Sequence, residues 1–410
     1  MSSCNFVIFI IILLFGYQDY DRKSSIVPIS SLKYETSNSE FNYLKEDLKN
    51  AQIILIGENR HGDGSSTLVK LKWLSFLYNE LGFDVCIDES PLQMGWYIQK
   101  QRNAGLSAQV SNCLAVKRYL YNSIWTNTFA IYKFLDEVNY GNQIIYDGFD
   151  MFGHSNFLLD LDTVFQEKYP TIYLSKNWIN YKSIYLKAIE ANTILNKRVT
   201  LIRLAKLTDE LIKVLDKQIC DINTQRIKLS LICTLNSIKG ASKSTKGITE
   251  YFFKVREMQI SKNLDWLIDT LYKNRKIVIF SSNLHILNNT NKIKELKGKA
   301  VPVGNHLFAK YGNKVRSIAC IEYNGYTGLY KRDKEVPVKS LNSFEYKLHS
   351  LGYKYSIVDL KKMDDTLFEL FPTINDKSIT LNWKDHYNYL FYIDSMIPAR
   401  LAEIKDYCKK

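Results

Sequence analysis

A carboxylate and an imidazole lie three residues apart in Gly57-Glu58-Asn59-Arg60-His61-Gly62-Asp63-Gly64, a glycine-rich stretch that follows the apolar run Gln52–Ile56. Three later apolar runs end in a similar way, in Asp88-Glu89-Ser90-Pro91, in Gly148-Phe149-Asp150 and in Ser281-Ser282-Asn283-Leu284-His285. In an open parallel sheet, ligands bind where the carboxyl ends of the strands release their loops. A polar residue at one such end is ordinary loop composition. Acids and histidines at four successive ends, in a chain with 6 histidines, point to one edge equipped for chemistry.

The chemistry these groups suggest is activation of water. A neutral imidazole takes a proton from water while a neighbouring carboxylate fixes its tautomer and steadies the imidazolium. His61 is the expected general base, with Glu58 or Glu89 as its orienting partner. A donor facing a developing oxyanion is then required, and His285, Asn283 or Arg60 could supply it. No G-x-S-x-G elbow occurs, so a serine nucleophile is not expected. The same acids and histidines suit Zn²⁺ or Mn²⁺, but no H-E-x-x-H or comparable spacing accompanies them. Acid–base catalysis without metal or other cofactor is therefore the first expectation, and a metal-dependent hydrolase the alternative. His154 and His306 are weaker candidates; His349 and His386 read as surface or packing residues.

Positioning these groups requires strands separated by helices. Strand-like runs occur at Gln52–Ile56, Asp84–Ile87, Gln143–Tyr146, Lys276–Phe280, Arg316–Ile321, Tyr355–Val358 and Tyr389–Ile393, alternating with helical patterns. That alternation predicts an α/β fold with a mostly parallel central sheet flanked by helices. Between the first two runs, Leu68, Leu71, Leu74, Leu77, Tyr78 and Leu81 keep the spacing of one buried helix face, with Ser65 or Ser66 as cap. From about 156 to 273 long amphipathic stretches replace strands, as in Leu201–Ile219 and Gln225–Ile238, which predicts a helical insertion. The expected division is an apolar signal or anchor segment at 1–17, a polar linker at 18–47 and a catalytic domain at 48–400 containing that insertion.

Composition narrows the class further. With 46% hydrophobic residues in 410, the chain buries a sizeable core and is neither disordered nor fibrous. Its 55 Lys and Arg against 42 Asp and Glu leave +13, but the excess is scattered and no nucleic-acid-binding motif accompanies it. No nucleic-acid partner is expected; the expected partner is a small molecule. The 7 cysteines are far apart and show no C-x-x-C or zinc-ribbon spacing, so most are read as buried small hydrophobes. The apolar run Phe6–Gly16 is too short to cross a bilayer and fits the core of a signal peptide, although no Lys or Arg precedes it and no A-x-A site follows. It predicts export to the cell envelope or N-terminal membrane anchoring, with a cytoplasmic protein as the alternative.

The stretch Ile54 to Gly62, followed by a helix, Leu81-Gly82-Phe83 and Glu89, resembles the opening of erythromycin esterase-like proteins, G-E-x-x-H-G followed by L-G-F and a glutamate. The resemblance continues through Gly148-Phe149-Asp150. It takes in Arg256-Glu257 with Asn263-Leu264 and Trp266-Leu267, similar to the family helix R-[DE]-x-x-M-x-x-N-x-x-W-L. Asn283-Leu284-His285-Ile286 and Gly304-Asn305-His306-Leu307 complete it, over roughly residues 50 to 398. The resemblance implies ester hydrolysis by a histidine-activated water without an obligatory metal, the founding members opening the lactone of macrolide antibiotics and so conferring resistance. It implies His61 as base, Glu58 and Glu89 as supporting carboxylates, Lys70 as a cation on the following helix and His285 in the far wall. Three positions depart from the family. Ser282 replaces the first histidine of H-N-x-H, Lys70 stands where many members have arginine, and Ile260 where the helix has methionine. The residues also admit a reading of another class, a non-catalytic carbohydrate- or envelope-binding protein, favoured by the apolar N-terminus and 28 tyrosines.

Overall fold

A computed structural model describes residues 25–119, 134, 143–151, 156–190, 194–218, 221–243, 250–329, 332–363, 367–371 and 378–399. The expected apolar segment Phe6–Gly16 and the weaker candidate His154 lie outside the described residues. Among the described residues, no helix is long and apolar enough to cross a membrane.

The strands are β1 (Ile26–Pro28), β2 (Ile53–Glu58), β3 (Val85–Pro91), β4 (Ile145–Asp150), β5 (Ile277–Ser282), β6 (Val315–Leu329), β7 (Arg332–Val336), β8 (Tyr355–Asp359), β9 (Phe368–Leu370), β10 (Ile379–Leu381) and β11 (Tyr389–Met396). All seven expected strands form, in an α/β fold whose large sheet is mostly parallel and flanked by helices. The chain divides into two compact units. One comprises Met1–Phe83, Val278–Ile293 and Leu307–Asp406, the other Asp84–Ile277, Lys294–His306 and Tyr407–Lys410.

In the first unit the strand order is β1-β8-β11-β6-β2-β5, with β7 on β6. β2 and β11 run parallel to β6, while β8 and β1 close the edge antiparallel. Every residue of β2 is buried, the continuous apolar run of a strand covered on both faces. The helix Gly64–Leu81 follows and ends at Gly82, whose φ of 73° is the left-handed cap that lets Gly82 N donate to Tyr78 O. Its N-cap is Asp63; Ser65 and Ser66, the expected caps, lie inside the first turn.

The second unit holds β3 and β4, paired parallel from Val85 opposite Ile145. Its larger part is helical. The helices Phe157–Lys168, Lys176–Glu190, Ile194–Leu215, Ile222–Ser242 and Glu250–Trp266 occupy the stretch read as an insertion. Phe165, Trp178, Tyr181, Leu211 and Leu231 lie in their common core.

The expected linker at 18–47 is not a linker in its described part. Ile26–Pro28 pairs with β8, and the turn Ser39–Leu44 buries Phe41 and Leu44. Phe41 stacks on Trp73 at 4.5 Å and packs against Phe76 at 5.2 Å. Lys72, buried in the helix Gly64–Leu81, donates to Thr36 Oγ1 at 2.9 Å and holds the same segment by polar contact. Isolated apolar residues among polar ones leave no periodicity, which is why this segment reads as linker. Phe41→Ala is expected to destabilise the protein by about 3–5 kcal/mol, the range for a fully buried aromatic, measured by equilibrium denaturation.

Candidate active site

The loop after β2 is built by close packing and by its neighbours' backbones. A Cβ on Gly57 would lie 2.3 Å from Asn283 Oδ1 and 2.9 Å from Asn283 Cα, so only glycine lets β2 approach the end of β5 here. Gly62 adopts φ 82°, and its carbonyl accepts from Gly328 N at 2.9 Å and Ala399 N at 2.8 Å. Gly64 N donates to Ile397 O at 2.9 Å, and Ile397 N to Ser65 Oγ at 3.0 Å. His61 is thus carried on a loop fastened to β6 and to the segment after β11.

Glu58 is the centre of the cluster. His61 Nδ1 lies 2.8 Å from its Oε1, and Lys70 Nζ donates to its Oε2 at 2.6 Å. Glu58 and Lys70 are buried, whereas the His61 side chain keeps 22% of its surface exposed. Burial alone would raise the Glu58 carboxyl, but the charge of Lys70 and the hydrogen bond from His61 hold it below the ordinary carboxylate value. Of the two carboxylates expected beside His61, Glu58 is the one within hydrogen-bond distance of it. Lys70, a solvated residue by periodicity alone, is drawn into the interior by Glu58 and lies 5.8 Å from the centre of the Phe280 ring.

Of the three oxyanion-donor candidates, two are engaged elsewhere. Arg60 is buried and its Nε donates to Glu322 Oε1 at 3.2 Å. Asn283 Nδ2 donates to Cys320 O at 2.7 Å and its backbone N to Glu58 O at 2.8 Å, while its carbonyl accepts from Tyr387 at 3.0 Å. Through these bonds both residues brace the loop. His285 lies buried just past β5, its backbone N donating to Ser282 Oγ at 3.4 Å. Ser282 itself is buried.

In the second unit, Arg256 joins two predicted residues. It donates to Glu89 Oε1 at 2.6 Å and to Asp150 Oδ2 at 2.8 Å and Oδ1 at 3.2 Å, with all three side chains buried. Those two carboxylates keep the guanidinium protonated against the effect of burial. On the same helix Asn263 Nδ2 donates to Phe149 O at 2.8 Å, and Glu257 Oε2 accepts from Val303 N at 3.0 Å. His306 Nε2 is 2.9 Å from Asp265 Oδ1. His349 stacks on Tyr323 at 4.1 Å beside Asp394, and His386 is buried against Trp383. Among the described residues, no three His, Cys, Asp or Glu side chains are grouped to hold a metal ion. Cys86, Cys233 and Cys320 are buried thiols, whereas Cys113 is disulfide-bonded.

Three buried acids of the first unit escape a reading based on strand ends. Glu322 accepts from Asn59 Nδ2 at 2.7 Å as well as from Arg60, with Lys339 Nζ 3.8 Å away. Glu345 accepts from Phe371 N at 2.8 Å, and burial pushes its carboxyl up to about 7. The signal for Glu322 is a lone charge inside the apolar run of β6. Asp63 is fully buried and accepts from Ser66 Oγ. Burial, against the Ser66 hydrogen bond and with Glu322 and Glu58 adding to it, pushes its carboxyl up to about 7. The folded chain thus holds a proton that the unfolded chain loses near 3.8, so this contribution is complete below that value and is lost as pH rises to about 7. Asp63→Asn is neutral at every pH and removes that loss. Relative to wild type, it is expected to gain up to roughly 4 kcal/mol between about pH 4 and about pH 8, read from melting temperatures across that range.

Residues 198–400 match the family model described as erythromycin esterase. Over 314 residues the chain is 22% identical to YbfO of Bacillus subtilis (strain 168), named provisionally as a hydrolase, covering 70% of this chain and 69% of that protein. Its fold is similar to a succinoglycan biosynthesis protein, with a TM-score of 0.72 and 14% identity over 92% of this chain and 96% of the other. It is also similar to an erythromycin esterase mutant in its open conformation, with a TM-score of 0.65 and 15% identity over 92% of this chain and 99% of that one. Over residues 198–400 the chain is thus similar in sequence to erythromycin esterases, and over most of its length it shares the fold of one.

Proposed function

We propose that this protein is a hydrolase that opens an ester or lactone by attack of a water activated by His61. The observation that carries this reading is Glu58, whose two oxygens are divided between His61 Nδ1 and Lys70 Nζ. Lys70 keeps Glu58 anionic, and an anionic Glu58 accepts from Nδ1–H, which makes Nε2 the basic nitrogen of the ring.

Nε2 removes a proton from water as its oxygen bonds to the acyl carbon, and Glu58 steadies the imidazolium that forms. The tetrahedral oxyanion then collapses, the bond to the alcohol oxygen breaks and His61 returns the proton to the leaving alkoxide. His285 is the assigned donor to the oxyanion, because Asn283 and Arg60 are committed to Cys320 and Glu322. Glu89 and Asp150, locked on Arg256, serve as substrate-binding or supporting groups, and no cofactor takes part. Similarity to a succinoglycan biosynthesis protein supports a second reading in which the ligand is a carbohydrate; glycan-array binding without turnover would favour it.

The test is hydrolysis of chromogenic esters, lactones and macrolides by wild type and His61→Ala, each with and without chelator. His61→Ala is expected to lose at least ~10² in rate, and wild-type activity to be indifferent to chelator. Chelator sensitivity would favour the metal-dependent alternative; no wild-type activity on any compound would favour the carbohydrate reading. Removing the cation in Lys70→Met lets the Glu58 carboxyl rise. The acid limb of the pH–rate profile is therefore expected to move to higher pH, and Lys70→Arg to hold it near its wild-type position.

A further inference from the structure

The helical unit contains a small, partly open cavity of about 10 Å³, about the room that one water-sized group occupies. Gln93 and Arg226 are among its lining residues. Gln93 is only 1% exposed, yet neither its Oε1 nor its Nε2 has a hydrogen-bond partner. Arg226 is held in place by Asp147 and by Leu92 O, at 2.9 Å from the latter, but its Nε is buried without a partner. Buried polar groups are seldom left so, because each unmade hydrogen bond forfeits the hydration the group gave up.

The remaining lining suggests what completes them. Trp96, Phe157 and Ile227 give an apolar wall. The cation of Arg226 is matched by Asp147 and Asp160 also lines the space, so no net positive charge calls for an anion. Two N–H donors and one carbonyl acceptor are the complement of a hydroxyl, which accepts twice and donates once. We propose that this cavity binds one hydroxyl oxygen, from water or a small alcohol, accepting from Gln93 Nε2 and Arg226 Nε and donating to Gln93 Oε1.

The experiment is a high-resolution crystal structure of the full chain, from crystals grown without alcohol and from crystals soaked in 1-propanol. Electron density within hydrogen-bond distance of both Gln93 and Arg226 is expected. A single sphere under both conditions identifies water as the occupant, and density that lengthens along Trp96 in the soak identifies an alcohol site. An empty cavity in both overturns the proposal. In solution the sign of a stability change gives the same decision. Gln93→Met removes the polar atoms with little change of volume, so it lowers the melting temperature if they hold a bound oxygen and raises it if they are simply unpaired. A raised melting temperature overturns the proposal, and the crystallographic readout stands even if this variant does not fold. Neither measurement depends on hydrolysis by His61.

Discussion

Glu58 accepts from His61 with one oxygen and from Lys70 with the other, and the first unit is organised so that this can happen in its interior. A buried carboxylate is costly unless its charge is matched and its lone pairs are used. Lys70 supplies the charge and His61 the second hydrogen bond. The pair brings a lysine out of solvent on a helix whose neighbouring positions are apolar, and it fixes one face of the imidazole. The remaining structure of the loop serves that geometry. Gly57 permits the approach of Asn283, and Gly62 turns the chain so that its carbonyl meets Gly328 and Ala399.

A layer of committed polar groups lies around this centre. Asn59 and Arg60 precede His61 in sequence, and both are bound to Glu322. Glu322 in turn lies near Lys339. Asn59 and Arg60 are therefore anchored through β6, which is parallel to the strand that delivers Glu58. Such anchoring matters because catalytic groups lose effectiveness when displaced by about 1 Å. Asp63, protonated at moderately acidic pH, adds a neutral hydrogen-bonded acid beside these charges, where a further negative charge would compete with Glu58.

The second unit has its own centre in Arg256, which gathers Glu89 and Asp150 from the ends of β3 and β4. A guanidinium offers several donors in one plane, so two carboxylates from different strands can both accept from it. The family helix that carries Arg256 also uses Asn263 and Glu257 to fasten backbone groups of β4 and of the segment at Val303. Arg256, Glu257, Gln259 and Asn263 are buried on this helix, and Ile260 lies among them as a fully buried apolar residue.

The sequence alone determined the strands and the identities of Glu58, His61, Glu89, Asp150 and His285 as groups delivered by strand ends. Continuous apolar runs and their polar terminations are local signals, and they survive in one dimension. It also carried the helical nature of 156–273, through periodicity. Pairing was decided only in three dimensions. Glu58 meets His61 across three residues of one loop, whereas Glu89 is taken by Arg256. Arg60 and Asn283 face inward because Glu322 and Cys320, 262 and 37 residues away along the chain, present their acceptors there. The burial of Lys70, Lys72 and Asp63, and the ordering of residues 25–48, likewise depend on partners that no local pattern reveals. A buried charge and an exposed one look alike in sequence until the fold places, or withholds, the opposite group beside it.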